Sequence, residues 1–122
     1  MKVTRVAHVS LNVEGSLEET KAFYNDLFGL EDHTGRPDIP GVPGYWQHIG
    51  PVELHLVGAA PRGTEIDPTG PHFCVYVDDL DAAISELDER AVPYMRGAQG
   101  PVVQIWVTDP AGNTVELQQE RA

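Results

Sequence analysis

The chain has a single cysteine, Cys74, in 122 residues, so neither an intrachain disulfide nor a cysteine-rich zinc site is possible. Basic residues are also scarce: Lys and Arg number 8 against 19 Asp and Glu, a formal charge of −11. So acidic a chain lacks the basic footprint that nucleic acid or an anionic membrane surface requires. A cationic ligand or a metal ion is compatible with it, although acidity alone mostly means solubility. No stretch approaches the roughly 20 apolar residues of a membrane span. Lys2 and Arg5 interrupt the first ten residues, which therefore lack the apolar run of a signal peptide. A soluble, cytoplasmic protein is expected.

What is present is ordinary for a globular chain. Hydrophobic residues make up 41% and charged residues 22%, values that argue against disorder. The length fits one domain, residues 1–122, able to bury about two-thirds of its unfolded surface.

Hydrophobic periodicity organises the chain. Residues Val3 to Val13 alternate, which predicts a strand. From Ala7 onward Ala7, Val9, Leu11 and Val13 share one face, and His8, Ser10 and Asn12 share the other. Ser16 and Glu19 have the spacing of a capping box, and Leu17, Thr20, Phe23, Tyr24 and Leu27 follow at helical intervals up to Gly29. A short strand is expected over Leu30 to His33. Three glycines and three prolines between Thr34 and Gly44 mark a loop. Tyr45 to Ile49 and Val52 to Val57 read as strands joined by a Gly50-Pro51 turn. In the second of these, Val52, Leu54 and Leu56 face one way, Glu53 and His55 the other.

The segment 58–71 has no periodicity and reads as a linker between module one, residues 1–57, and module two, residues 72–122. After it the order repeats. His72 to Val77 alternates, with His72, Cys74 and Tyr76 on its polar face. Leu80, Ala83, Ile84 and Leu87 mark an amphipathic helix. Strands are expected over Val92 to Arg96, Val102 to Val107 and Thr114 to Gln119, the last preceded by the Thr108 to Asn113 turn. His8 pairs with His72 at an offset of 64 residues, while Leu17 pairs with Leu80 and Glu53 with Glu116 at 63. One single-residue indel reconciles the offsets, and two copies suggest a pseudo-two-fold sheet structure.

The repeat singles out His8, Glu53, His72 and Glu116. Each lies on the polar face of a strand whose other face is apolar. Such residues are individually ordinary on a solvated sheet face. Their recurrence at matching positions is not: a histidine in the first strand of both copies, a glutamate in the last. Neutral imidazoles and carboxylates suit a divalent first-row metal and leave positions free for water or substrate. Glu53 and His55 face the same way, so either could be the first module's ligand; alignment with Glu116 favours Glu53. His33 and His48 read as surface residues, and Cys74 as small packing material.

Four segments carry a family resemblance: His8-Val-Ser-Leu-Asn-Val13, Phe23-Tyr24 with Leu27-Phe-Gly-Leu30, His72-Phe-Cys-Val-Tyr-Val-Asp-Asp-Leu80, and Asp109-Pro-Ala-Gly-Asn-Thr-Val-Glu-Leu117. Together they resemble the vicinal oxygen chelate superfamily, which includes glyoxalase I, fosfomycin-resistance transferases, methylmalonyl-CoA epimerase, extradiol dioxygenases and bleomycin-binding proteins. The resemblance implies an α+β fold. Two βαβββ modules would form an open eight-stranded cup with the helices outside, usually in a homodimer. It implies a divalent metal ion (Zn, Ni, Mn, Fe or Co) on His8, Glu53, His72 and Glu116, or on His8, His72 and Glu116 alone. It implies a small-molecule substrate whose adjacent oxygens meet the metal, in lyase or isomerase chemistry with Glu53 or Glu116 as catalytic base. A bleomycin-resistance-type binding protein and a ring-cleaving dioxygenase are the alternatives. Asn12 stands where glyoxalase I commonly has an arginine for the glutathione carboxylate, which argues against a glutathione substrate.

Overall fold

The computed structural model describes Lys2 and residues 4–121. Module one runs β1 (His8–Asn12), α1 (Leu17–Asp26), β2 (Glu31–His33), β3 (Gly44–Ile49) and β4 (Val52–Val57). Module two runs β5 (His72–Val77), α2 (Leu80–Glu89), β6 (Met95–Gln99), β7 (Val102–Thr108) and β8 (Thr114–Gln119). Each is a βαβββ unit. The strand orders correspond: β1-β4-β3-β2 in one sheet and β5-β8-β7-β6 in the other. In both, the first strand lies parallel to the last and the remaining pairs are antiparallel. The fold is therefore α+β, built from two like modules. The chain divides into compact units at Met1–Arg62 and Gly63–Ala122.

Side-chain alternation decides what each sheet buries. In module one Leu54 and Leu56 of β4 are buried with Tyr24 and Thr20 of α1, and α1 lies against β4. Gln47 of β3 is also fully buried on this face, its amide donating to the Lys21 carbonyl of α1 at 3.2 Å. In module two Ile105, Val107, Val115 and Leu117 are buried with Leu80 and Leu87 of α2. The opposite face of each sheet carries the polar set.

Several local expectations are corrected. The first strand begins at His8, not near Val3; Val3 itself lies outside the described residues. The reason is its partner: β4 starts at Val52 and pairs Glu53 with His8, so residues 4–7 have almost no strand to bond. Ser16 precedes α1 but its side chain caps nothing. Its ψ of 30° lies outside the extended range that aims a hydroxyl at first-turn amides, and its Oγ meets Thr20 Oγ1 at 3.3 Å. Asp79 does cap α2, accepting from the Ala82 amide at 3.0 Å. Gly29, at φ 68°, turns the chain out of the first helix as expected. The strand expected over Val92 to Arg96 starts three residues later, at Met95. Val92 is used up in ending α2, its amide bonding to the Leu87 carbonyl at 2.9 Å, and Pro93 has no amide to offer a ladder.

Candidate metal centre

The polar face of module two centres on Glu116, which is only 4% exposed. Strand parity places it beside Trp106 of β7 and Cys74 of β5, its direct partners across the two ladders. Its Oε2 accepts from the Gln118 amide at 2.6 Å and the Gln104 amide at 3.2 Å. Its Oε1 faces His72 Nε2 at 3.4 Å. The other ring nitrogen, His72 Nδ1, lies 2.9 Å from the Gly70 carbonyl. A carbonyl only accepts, so Nδ1 carries a hydrogen, and in the neutral imidazole Nε2 then presents a lone pair. A second hydrogen bond that fixes tautomer and ring is the arrangement metal-bound histidines require. Trp106 meets the His72 ring edge-on at 4.8 Å between centroids.

Burial first, and then the Glu116 charge, push the Cys74 thiol up to about 11. Cys74 is exposed on the strand, not the packing material expected, and its thiol is neutral at physiological pH, which makes it a poor nucleophile.

The polar face of module one gathers four of the five histidines. His8 and Glu53 are direct partners across the β1–β4 ladder, and Ser10 and His55 follow on the same face. Glu53 Oε1 lies 2.9 Å from His55 Nε2 and Glu53 Oε2 lies 3.1 Å from His33 Nε2. The His55 hydrogen bond is the largest cause holding the Glu53 carboxyl below its ordinary value, with His33 adding to it. The His55 ring is clamped between Trp46 and His8, with both centroids 4.1 Å away and interplanar angles of 4° and 14°. His33 stacks on His48 at 4.6 Å and meets Trp46 edge-on.

The four expected site residues therefore fall as one histidine and one glutamate on the polar face of each module, in different registers. His72 meets Glu116, whereas the Glu53 carboxylate meets His55 and His33, and His8 stacks on His55. His8 sits directly across from Glu53, whereas His72 sits across from Thr114, one same-face step before Glu116, and reaches it diagonally. Among the described residues, no group of three or more His, Cys, Asp and Glu side chains is arranged to hold a metal ion. The donor set nonetheless suits one: His72 presents Nε2, and a carboxylate oxygen with two lone pairs can ligate while still accepting a hydrogen bond.

Residues that pattern reading missed are His33, Gln104 and Gln118. His33 is a half-buried partner of Glu53 rather than a free surface residue, and three-residue β2 is too short for alternation to reveal it. Gln118 was legible two residues beyond Glu116. So was Gln104, which alternates with Val103 and Ile105.

Paired βαβββ modules with an imidazole and a carboxylate on the polar face of each define a class of protein. The family model described as Glyoxalase/Bleomycin resistance protein/Dioxygenase superfamily matches residues 5–117. The chain belongs to that superfamily. Its fold is also that of solved relatives. A Bacillus anthracis protein described as of the glyoxalase family is 24% identical, with a TM-score of 0.84 over 99% of this chain and 98% of that one. Lactoylglutathione lyase from Agrobacterium tumefaciens is 24% identical, with a TM-score of 0.74 over 98% and 96% of the two chains. A fosfomycin resistance protein from Listeria monocytogenes is 16% identical, with a TM-score of 0.73 over 99% and 94%. No helix among the described residues is long and apolar enough to cross a membrane.

Proposed function

We propose that the protein is a glyoxalase-like, divalent-metal-dependent enzyme that acts on a small substrate with adjacent oxygens, in lyase or isomerase chemistry. Its metal ligands are His8, Glu53, His72 and Glu116. The observation that carries this reading is the His72–Glu116 pair, a buried carboxylate with one oxygen anchored by two amides and the other turned to an imidazole of fixed tautomer. A free carboxylate buried only to be solvated would be costly, so its fixed donors make sense if the oxygen facing His72 serves a cation. When bound, a divalent metal supplies Lewis acidity toward substrate oxygens and stabilises the negative charge that develops on them.

The chain's own residues do the rest. Gln104 and Gln118 hold Glu116 so that its free oxygen is presented without reorganisation. Glu53 and Glu116 are the available proton acceptors, and Glu53 is the more accessible, at 33% side-chain exposure against 5%. Asn12 donates to the Ala60 carbonyl at 3.1 Å and carries no charge, so it offers no cation in an arginine's place toward a substrate carboxylate. The protein works as a cytoplasmic homodimer in this reading.

Metal analysis of the purified protein tests it. The expected result is a stoichiometric divalent metal, removable by chelator and restored by one or more of Zn, Ni, Mn, Fe and Co. A protein without a tightly held metal overturns the enzyme reading in favour of a bleomycin-resistance-type binder. Restoration by iron alone, with turnover of catechols, redirects it to ring cleavage.

A further inference from the structure

His33 and His72 make opposite hydrogen bonds through the same ring atom. His72 Nδ1 faces a carbonyl, Gly70 O, whereas His33 Nδ1 receives the backbone N–H of Gly35 at 2.9 Å. A backbone amide only donates, so His33 Nδ1 must present a lone pair. In a neutral imidazole the hydrogen then sits on Nε2, which points at Glu53 Oε2 at 3.1 Å. A ring bearing Nδ1–H would set two hydrogens against each other.

Packing leaves the ring little freedom to escape. His48 covers one face at 4.6 Å and Trp46 abuts it at 90°. The absence of a side chain at the bend also matters, because a Cβ at Gly35 would lie 2.5 Å from His33 Cε1 and would push the ring aside.

We infer that His33 is a positioning residue for Glu53: the Gly35 amide locks it as the Nε2–H tautomer, and it donates to the carboxylate rather than ligating a metal. The inference rests on the reading of Glu53 as a ligand and proton acceptor. It assigns the histidines of the polar faces to two jobs. His72 has its lone pair outward and binds the cation; His33 has its hydrogen outward and fixes the carboxylate that does so. With His55 on Oε1 and His33 on Oε2, both oxygens of Glu53 are tethered, which sets the carboxylate plane before any ligand arrives.

Long-range proton–nitrogen NMR of histidine-labelled, chelator-treated protein tests this, with signals assigned from the single His→Gln variants. The expected spectrum has His33 as the Nε2–H tautomer and His72 as the Nδ1–H tautomer. Adding Zn²⁺ should shift His72 Nε2 and leave His33 with its Nε2 hydrogen. His33→Ala should weaken zinc binding by about 10- to 100-fold at unchanged stoichiometry, the usual effect of losing a ligand's hydrogen-bond partner. His33→Gln, which keeps an N–H donor, should recover most of that loss, and Gly35→Ala should reproduce it by displacing the ring. An Nδ1–H tautomer at His33, loss of its Nε2 hydrogen to zinc, or unchanged affinity in His33→Ala would each overturn the inference. Wild-type protein that takes up no zinc overturns the metal reading instead, and the chelator-treated spectrum still decides the tautomer.

Discussion

Cys74 lies directly across the β5–β8 ladder from Glu116, and the carboxylate helps hold its thiol protonated, up to about 11. The lone cysteine should therefore be a poor nucleophile. In chelator-treated protein at pH 8, iodoacetamide should alkylate Cys74 more than tenfold more slowly than a free thiol of pKa about 8.5. Glu116→Gln removes the neighbouring charge while burial remains, so alkylation should speed up without reaching the free-thiol rate. Mass spectrometry over a time course reads both.

Metal content should separate the expected ligands from their neighbours. His8→Ala, His72→Ala and Glu116→Gln should each lose most bound divalent metal with unchanged circular dichroism, because these side chains lie opposite the apolar face of their sheets. Glu53→Ala should lower metal content, and His55→Ala should leave it near normal. If His55→Ala empties the site and Glu53→Ala does not, the first module's ligand is His55.

Asp32 makes an acid-dependent contribution to stability. Hydrogen bonds from Asn25 and then Lys21 hold its carboxyl below the ordinary value, and the Lys21 ion pair measures 3.2 Å. A carboxylate with a depressed folded-state pKa stabilises above its unfolded value of about 4 and loses this as pH falls through the lower folded value. The pair is half exposed, so its worth is only about 0.2–1 kcal/mol. Urea unfolding of wild type and Asp32→Asn should differ by that amount at pH 7 and converge toward pH 2.

The Asp109 to Asn113 turn is held by one buried carboxylate. Asp109 Oδ1 accepts from the amides of Ala111 and Asn113 at 3.0 and 2.9 Å, and the Asn113 side chain adds further bonds. Asp109→Ala strands these donors and should cost about 2–3 kcal/mol. The melting temperature should fall by roughly 8–12 °C. Gly112→Ala should also destabilise, because its φ of 91° is strained for alanine and a Cβ there would overlap Gly63 and Thr64.

Association should be strong. Each sheet ends on strands whose outer backbone groups are unpaired within that sheet, and pairing with a second copy would cover such edges. Sedimentation velocity at micromolar concentration should show a homodimer; a monomer would refute this.

Period-two alternation by itself determined which side chains share a face. That is why His8, Glu53, His72 and Glu116 were legible as polar-face residues from spacing alone, and why the repeated strand and helix order announced paired modules. Alternation has a period of two and no origin, so it is silent on register. Only the backbone ladders placed Cys74 across from Glu116 and His72 one step away, while pairing His8 with Glu53 directly. Capping was equally non-local: Ser16 has the right identity and spacing, yet its backbone angles deny it the bond that Asp79 makes. The tautomer of His33 depends on a bend at Gly35 and on a carboxylate twenty residues away in β4. A hydrogen's place on a ring is decided by what each nitrogen meets in space, and only the folded chain brings those partners together.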